Sequence, residues 1–259
     1  MSDGILFEVR DGLAHLTLNR PKSLNAIDAD AAQRWREIAH EIAERDDVQA
    51  VLFDATGPAF CAGGDIAAMA SLGDTGARIA EFADAIHDGH STFAQMPKPI
   101  VAAVQGVVAG GGLGFMLVAD YIVAGDTARF VSKYADIGLT PDCGVSTLLP
   151  QAVGARRALE LLLTDRMLSA PEALEWGLVA EVVPSADLAA RAHAVARHWL
   201  SGATGAFGQA KRLVRTGVGR SYSDGLDDEA RTIGAAFDTP DARARVAAFV
   251  AKATRPRVE

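Results

Sequence analysis

Three consecutive glycines, Gly110 to Gly112, constrain this chain more than any other feature of its sequence. They stand between an apolar stretch with the character of a buried strand, residues 99–104, and an apolar helical run, residues 115–119. A glycine-rich turn that begins a helix leaves its amide N–H groups free, with the positive end of the helix dipole behind them. Such a turn binds either a phosphate group or an oxyanion that develops during a reaction.

A second glycine turn lies earlier in the chain, in Phe60-Cys-Ala-Gly-Gly-Asp65 after an apolar strand at residues 51–53. Amide donors from two separate turns, at Gly64 and Gly111, would form an oxyanion hole if they pointed at one oxygen atom. Either turn alone is explained as well by a tight turn that passes close to a neighbouring backbone. The pairing of the two turns is what favours a functional interpretation.

Nucleotide-binding loops do not fit the glycine run. The dinucleotide pattern G-x-G-x-x-G fails, because Leu117 stands where the third glycine after Gly112 and Gly114 should be. No G-x-x-x-x-G-K-[ST] sequence occurs anywhere in the chain, which excludes a P-loop.

The composition limits the remaining function classes. With 259 residues, 49% of them hydrophobic and 22% charged, the chain has room for one large core plus an appendage. A net charge of -8 disfavours nucleic acid as a partner, although Lys22, Arg255 and Arg257 could form a local patch for the phosphates of a nucleotide carrier. Neither a secretory signal nor a membrane-spanning run is apparent. Two cysteines, Cys61 and Cys143, indicate neither a disulfide framework nor a zinc site. We therefore expect the protein to reside in a reducing cytoplasm.

Hydrophobic periodicity predicts strands that alternate with helices up to about residue 183, followed by helices only. We expect the following elements: a hairpin of strands 5–10 and 13–18 around Asp11-Gly12, helix 29–44, strand 50–55, a loop at 71–76, helix 78–95, strand 99–104, helix 113–119, strand 121–124, helix 155–164, a capping box at Ser169 to Glu172, and helices 188–200, 205–214, 223–237 and 240–252. This order predicts an α/β core over residues 1–200 and a C-terminal helical assembly region over residues 201–259.

Together with two further motifs, the glycine turns form a characteristic series: Asn19-Arg-Pro-Lys-Ser-Leu-Asn-Ala26, Phe60-Cys-Ala-Gly-Gly-Asp-Ile66, Pro97-Lys-Pro-Ile-Val-Ala-Ala-Val-Gln-Gly106 and Ala109-Gly-Gly-Gly112. With the later Ser169-Ala-Pro-Glu-Ala-Leu-Glu-Trp-Gly-Leu-Val179, the chain resembles the crotonase (enoyl-CoA hydratase/isomerase) superfamily from about residue 5 to its C-terminus. The resemblance is strong for the superfamily and weak for any one reaction within it.

The resemblance implies a crotonase-like α/β spiral of ββα turns with a C-terminal α-helical trimerisation region. It implies a homotrimer, or a hexamer built as a dimer of trimers, and an acyl-CoA substrate. Coenzyme A then arrives as part of the substrate thioester, with no permanently bound cofactor and no metal. By the same resemblance, Gly64 and Gly111 supply the oxyanion hole. Residues expected to contact coenzyme A are Lys22, Ala26, Ala62, Asp65 and Ile66.

Hydratases of this superfamily use two glutamates, and this chain has neither. Gly114 stands at the first position, two residues after the glycine triplet, and Tyr134 stands at the second. Addition of water to a double bond needs groups that orient and activate the water and move its protons. We therefore doubt a hydratase activity. Asp136, close to the second position, is a candidate second acid, and a surface residue is at least as good an interpretation of it.

One carboxylate does lie at a candidate catalytic position, that of Asp142 in the turn Gly138-Leu-Thr-Pro-Asp-Cys-Gly144. This turn resembles that of the epoxyphenylacetyl-CoA isomerase and double-bond isomerase branch, where the aspartate is catalytic. A 1,3 proton shift needs only one such group, so the resemblance implies Asp142 as the sole acid/base. The structural alternative is that Asp142 caps a helix beginning near Cys143, and the two roles can coexist.

Two other functions stay open. The turn also resembles 4-chlorobenzoyl-CoA dehalogenases, in which an aspartate corresponding to Asp142 attacks the ring and a histidine at the spacing of His87 activates water. Tyr134 replaces their tryptophan, and His87 alone is more simply an exposed helix residue. A catalytically silent acyl-CoA-binding homologue is the other alternative. In each case we place His87 and Tyr134 in the substrate pocket.

Overall fold

The computed structural model describes residues 4–71 and 76–253. Strands β1 (Ile5–Arg10) and β2 (Leu13–Leu18) form an antiparallel hairpin. Its two turn residues, Asp11 and Gly12, have φ angles of 51° and 82°. Two successive positive φ angles match the twist of a tight hairpin, which Asp-Gly sequences favour. The predicted hairpin is confirmed.

Two sheets form the frame of the molecule. The remaining strands are β3 (Ala50–Ala55), β4 (Ile100–Val104), β5 (Val107–Ala109), β6 (Tyr121–Gly125), β7 (Arg129–Val131), β8 (Met167–Ser169) and β9 (Glu181–Val183). A six-stranded sheet has the order β1-β2-β3-β4-β6-β9 and is parallel from β2 onward. A three-stranded sheet has the order β5-β7-β8, with β5 parallel and β8 antiparallel to β7.

Helices cover both faces of the larger sheet. They are α1 (Ala29–Glu44), α2 (Ile66–Ser71), α3 (Gly76–Gln95), α4 (Gly111–Leu117), α5 (Val145–Val153), α6 (Ala155–Leu163), α7 (Ala170–Trp176), α8 (Leu188–Ser201), α9 (Thr204–Gly217), α10 (Tyr222–Phe237) and α11 (Pro240–Ala253). The predicted capping box is present, since Ser169 and Glu172 each satisfy a backbone N–H of the other. The predicted loop at 71–76 lies mostly outside the described residues, which resume at Gly76.

Aromatic side chains centre the main core between α1, α3 and the sheet. The Trp35 ring lies 4.6 to 5.2 Å, centroid to centroid, from those of Phe53, Phe93 and Phe115. Its indole N–H donates to Nδ1 of buried His90 at 3.0 Å, so the one polar atom of the ring is satisfied. This core fixes α3 against α1 and thereby positions one wall of the site described below.

The α/β core with a helical C-terminus is as predicted. Helices α10 and α11 contain no buried residues and expose large apolar side chains, among them Tyr222, Ile233, Phe237 and Phe249. The division at residue 200 and the trimerisation role of the tail stay predictions. No helix within the described residues is long and apolar enough to cross a membrane, and no cluster of potential metal ligands occurs in the same part of the chain.

Several predicted bounds differ from the structure by one to three residues. Helix α4 begins at Gly111, two residues earlier than predicted. The predicted start left out the glycine triplet, because glycine has a low helix propensity. The reason for glycine is steric: a Cβ at Gly112 would lie 2.2 Å from the Cys61 carbonyl oxygen. The strand predicted from residue 99 begins at Ile100, and the short strand β5 was not expected.

Candidate active site

The two glycine turns meet. The Cys61 N–H donates to the Val107 carbonyl, and the Cys61 carbonyl accepts the Ala109 N–H, so Cys61 pairs with strand β5. This pairing places the turn at Gly63 and Gly64 beside the glycine triplet. Gly63 has a φ of 97°, and a Cβ there would lie 2.9 Å from the Ala109 carbonyl oxygen and 3.2 Å from the Gly111 nitrogen. A side chain would therefore separate the turns, so glycine is required on both conformational and steric grounds.

The predicted oxyanion donors face one cavity. Gly64 and Gly111 both line a cavity of about 480 Å³. Within the described residues, neither of their N–H groups donates to a protein acceptor. Gly111 is the first residue of α4, where N–H groups have no partner inside the helix. The two amides are thus available to a ligand, and their convergence on a single oxygen stays a prediction.

Apolar side chains form most of the cavity wall. Helix α3 contributes Phe82 and Ile86, and α4 contributes Phe115, all buried. Most residues of the segment 133–143 also line the cavity. Apolar walls with a few convergent polar groups are typical of small-molecule sites.

Asp142 and Tyr134 lie together beside Gly111. The Tyr134 hydroxyl donates to Oδ1 of Asp142 at 2.6 Å. A Cβ at Gly111 would lie 3.5 Å from that Oδ1 and 3.7 Å from the Tyr134 oxygen. The Gly111 amide, the Asp142 carboxylate and the Tyr134 phenol therefore lie together at one point of the cavity. This agrees with the pocket position predicted for Tyr134.

Asp142 does not cap a helix. Helix α5 begins at Val145, its N-cap is Gly144, and no side chain caps it. The helix starts late because Cys143 and Gly144 have φ angles of 50° and 73°, which are not helical. The capping interpretation of Asp142 is therefore wrong, and its carboxylate faces the cavity instead.

The neighbours of Asp142 are held in their protonated forms. Burial, followed by the charge of Asp142, raises the pKa of the Tyr134 phenol, which keeps it a hydrogen-bond donor. The same two causes, in the same order, raise the pKa of the Cys143 thiol well above its usual value. Burial raises the pKa of Cys61 to about 12. These raised pKa values favour a packing role for both cysteines over a nucleophilic one.

Gly114, at the position of the first hydratase glutamate, has no room for a side chain. A Cβ there would lie 1.9 Å from the Cys143 carbonyl oxygen and 2.7 Å from its Cβ. The segment that carries Asp142 thus occupies the space that a side chain at position 114 would need.

His87 reaches the site only indirectly. Its exposed ring accepts a hydrogen bond at Nε2 from the Cys143 N–H at 3.1 Å, and His87 is not among the residues that line the cavity. Its ring thus supports the segment that carries Asp142. The surface interpretation is right about exposure and does not account for this contact.

The predicted coenzyme A contacts divide into two groups. Ala62 and Ile66 line the cavity. Asp65 instead caps α2, accepting the Ala68 N–H at 3.1 Å, and this bond, ahead of Arg20, lowers the pKa of its carboxyl group.

Arg20 connects two of the predicted coenzyme A contacts, Ala26 and Asp65. Its guanidinium donates to the Ala26 carbonyl and pairs with Asp65 at 3.0 Å and with Asp28 at 2.8 Å. Lys22 is exposed in the short 3₁₀ turn Pro21–Ser23, and no partner for it occurs within the described residues. The role of Arg20 was not predicted, because its partners lie up to 45 residues away.

Asp136 forms an ion pair at the cavity. It pairs with Lys133 at 2.7 Å, both side chains being close to half exposed. Lys133 has a φ of 63°, a conformation that is uncommon for non-glycine residues and recurs at functional sites. Lys133 was missed, and no pattern in the sequence marks it.

Comparison with known proteins gives one family. A family model described as Enoyl-CoA hydratase/isomerase matches residues 8–256. A 1,2-epoxyphenylacetyl-CoA isomerase from Escherichia coli K12 is 33% identical over 97% of this chain and 97% of its own length. A 4-chlorobenzoyl coenzyme A dehalogenase from Arthrobacter is 32% identical over 97% of this chain and 92% of its own. An enoyl-CoA hydratase structure from Mycobacterium smegmatis has a TM-score of 0.91 at 27% identity, covering 96% of both chains.

Proposed function

Because this chain belongs to the enoyl-CoA hydratase/isomerase family, whose members act on acyl-CoA thioesters, we propose that it is an acyl-CoA double-bond isomerase with Asp142 as its only acid/base. One observation carries the proposal. Asp142 and Asp136 are the only carboxylates among the described residues that line the cavity, and Asp136 is paired with Lys133. A single carboxylate beside the Gly111 amide, with no ion-pair partner in the described part of the chain, matches a reaction that removes and returns one proton.

In the proposed reaction, the N–H groups of Gly64 and Gly111 donate to the thioester oxygen. Asp142 removes a proton from the carbon next to the carbonyl group, and the electron pair of that C–H bond moves to the oxygen as an enolate. The protonated Asp142 then returns its proton at the γ carbon while the double bond shifts. Two amide donors aimed at the developing negative charge supply the stabilisation, each typically worth about 2.7–4 kcal/mol.

Tyr134 has a part in this proposal. Its hydroxyl holds Oδ1 of Asp142 at 2.6 Å, so Oδ2 is the oxygen that carries the proton between the two carbons. A fixed carboxylate is needed because proton transfer requires heavy-atom distances of roughly 2.6–3.2 Å to the reacting group.

A dehalogenase-like hydrolysis is the second candidate, favoured by the likeness to the Arthrobacter dehalogenase. It would need Asp142 as nucleophile and His87 as the base that activates water. The lone pair of His87 Nε2 already accepts the Cys143 N–H, and the ring lies outside the cavity lining. The described geometry thus supports the isomerase better. We also propose slow hydration, since Gly114 and Tyr134 leave both glutamate positions without a carboxylate.

Further expectations go with this function. We propose that Lys22 contacts the phosphates of coenzyme A, because it is exposed and without a partner in the described part of the chain. The exposed apolar residues of α10 and α11 support assembly as a homotrimer or a hexamer. No permanently bound cofactor is needed for the proposed chemistry.

The deciding experiment replaces Asp142 with Asn and supplies a panel of enoyl-CoA and aryl-CoA thioesters in deuterated water. We expect the wild type to isomerise a member of the panel, with deuterium entering the α or γ carbon whenever the protonated Asp142 exchanges with solvent before it returns its proton. Asp142→Asn should lose both isomerisation and exchange while still binding the thioester. Asp136→Asn is the matched control, with the same charge change on the same cavity, and should retain activity. Normal isomerisation and exchange by Asp142→Asn would refute the proposal.

Two other results would select an alternative. Release of halide from a haloaryl-CoA, with an ester trapped on Asp142, would establish the dehalogenase. Thioester binding by the wild type, without exchange or turnover on any member of the panel, would indicate a silent binder.

A further inference from the structure

A buried lysine on α9 plays no part in the chemistry above. The Lys211 side chain is only 2% exposed. Its ammonium group donates to the carbonyl oxygens of Phe93 at 2.7 Å and Lys98 at 2.9 Å, and it pairs with Asp120 at 3.2 Å. Three donors thus meet three acceptors, which offsets the cost of burying a charge. Burial lowers the pKa of Lys211 to about 8.

Arg215, one helical turn further along α9, binds the end of another helix. Its guanidinium donates to the carbonyl oxygens of Leu117, Val118 and Ala119 at 3.3, 3.2 and 2.8 Å. The Leu117 carbonyl is one of those that the end of a helix leaves without internal partners, and Val118 and Ala119 follow directly after α4. Arg215 also pairs with Asp120 at 3.1 Å, so Asp120 joins the two cations. We call Lys211, Arg215 and Asp120 the α9 clamp.

The clamp touches the ends of two helices whose other parts wall the cavity. Phe93 lies in the last turn of α3, and the cavity-lining residues Phe82 and Ile86 lie earlier on that helix. Leu117 ends α4, and Gly111 begins it. At 1.5 Å per residue, Phe93 lies about 10 Å along α3 from Ile86, and Leu117 lies about 9 Å along α4 from Gly111.

Close approach elsewhere on α9 shows how tightly the helix is docked. A Cβ at Gly208 would lie 1.9 Å from the Pro97 carbonyl oxygen, in the connection between α3 and β4. Displacement of α9 must therefore disturb this connection as well as the two helix ends. The helix is a fixed support and not a loosely attached tail.

From these contacts we infer that Lys211 and Arg215 are positioning residues, which hold α3 and α4 so that the Gly111 amide and the apolar wall keep their places relative to Asp142. The inference rests on the proposed function for its catalytic consequence. A displacement of about 1 Å at a reacting centre can cost about a hundredfold in rate. The clamp is thus a link between the helical C-terminal region and the site.

The test replaces Lys211 with Met, which keeps the length of the side chain and removes its charge. Arg212→Met is the matched control, because Arg212 is the next residue of α9 and pairs with Asp228 on α10, away from the cavity. Three readouts are compared well below the melting temperature. They are steady-state isomerisation, the absorbance shift of bound cinnamoyl-CoA, and hydrogen exchange of residues 79–93 and 110–117. Cinnamoyl-CoA has no γ proton and cannot isomerise, so its spectrum reports carbonyl polarisation alone.

We expect Lys211→Met to lower kcat by about tenfold or more with little change in KM, which is the pattern for an interaction needed in the transition state. The cinnamoyl-CoA shift should diminish and hydrogen exchange in 79–93 and 110–117 should accelerate, with neither change in Arg212→Met. A lower melting temperature with an unchanged shift and unchanged exchange would overturn the inference. If the wild type neither shifts cinnamoyl-CoA nor turns over any thioester, the proposed function fails, and hydrogen exchange still decides whether the clamp positions the helices.

Discussion

Replacement of Gly114 with Ala is the most direct test of how the site is built. The added Cβ would lie 1.9 Å from the Cys143 carbonyl oxygen, in contact with backbone and not with a flexible side chain. To reach an ordinary van der Waals separation, typically about 3.5 Å or more, the segment at Cys143 must move by more than 1 Å or α4 must shift. Asp142 is the adjacent residue, so the carboxylate moves with it.

Two magnitudes follow. Insertion of a methyl group into a packed site costs about 1–3 kcal/mol, and alanine recovers up to about 1 kcal/mol of helix propensity relative to glycine. We therefore expect Gly114→Ala to lower the free energy of unfolding by up to about 2 kcal/mol. Displacement of Asp142 by about 1 Å should lower kcat/KM for isomerisation by roughly a hundredfold, or about 2.7 kcal/mol of transition-state stabilisation.

Urea unfolding and steady-state isomerisation measure the two effects separately. Gly234→Ala is the control, since Gly234 lies inside α10 with no atom within 4 Å of a Cβ. That variant should be neutral or stabilised by up to about 1 kcal/mol, with normal activity. Wild-type activity and stability in Gly114→Ala would refute the steric coupling between Gly114 and the segment that carries Asp142.

Two further predictions concern Tyr134 and His90. Tyr134→Phe removes a 2.6 Å hydrogen bond to a carboxylate, and such a bond is worth about 1.5–3 kcal/mol. We therefore expect kcat to fall about 10- to 100-fold while thioester affinity is retained. An unchanged kcat would contradict the role given to Tyr134. Burial lowers the pKa of His90 from 6.5 to about 3, so the unfolded chain binds more protons in that window and stability is lost as pH falls through it. Urea unfolding between pH 7 and 4 should therefore show a smaller loss in the free energy of unfolding for His90→Gln than for the wild type. His40→Gln is the control, because the exposed His40 ring pairs with Asp88, and it should behave as the wild type does. Equal pH slopes in all three proteins would contradict this assignment.

Local patterns predicted the fold well where one element determines its own structure. The bounds of α1 and β3 agree with the predicted ranges, because a helical apolar stripe and a short apolar run identify them without reference to the rest of the chain. The three-residue strands β5, β7 and β8 carry no such pattern, since their pairing depends on distant partners.

The site divides in the same way. Gly64, Gly111 and Asp142 were identified from motifs, and the structure brings all three to one cavity. The contact between Tyr134 and Asp142 could not be predicted from spacing, because it requires the positive φ angles after Asp142 that turn its carboxylate away from α5. The ion pair between Arg20 and Asp65 likewise joins residues 45 positions apart.

The missing side chain at position 114 and the presence of Asp142 at the cavity are physically one arrangement. The Cys143 carbonyl occupies the space that a side chain at Gly114 would fill, and a Cβ at Gly111 would lie 3.0 Å from the Cys143 sulfur. The Cys143 N–H is in turn held by His87. With its backbone fixed on these sides, Cys143 holds the preceding aspartate at the cavity. A glutamate at position 114 and an aspartate presented by this turn therefore compete for the same volume, and the chain has the aspartate.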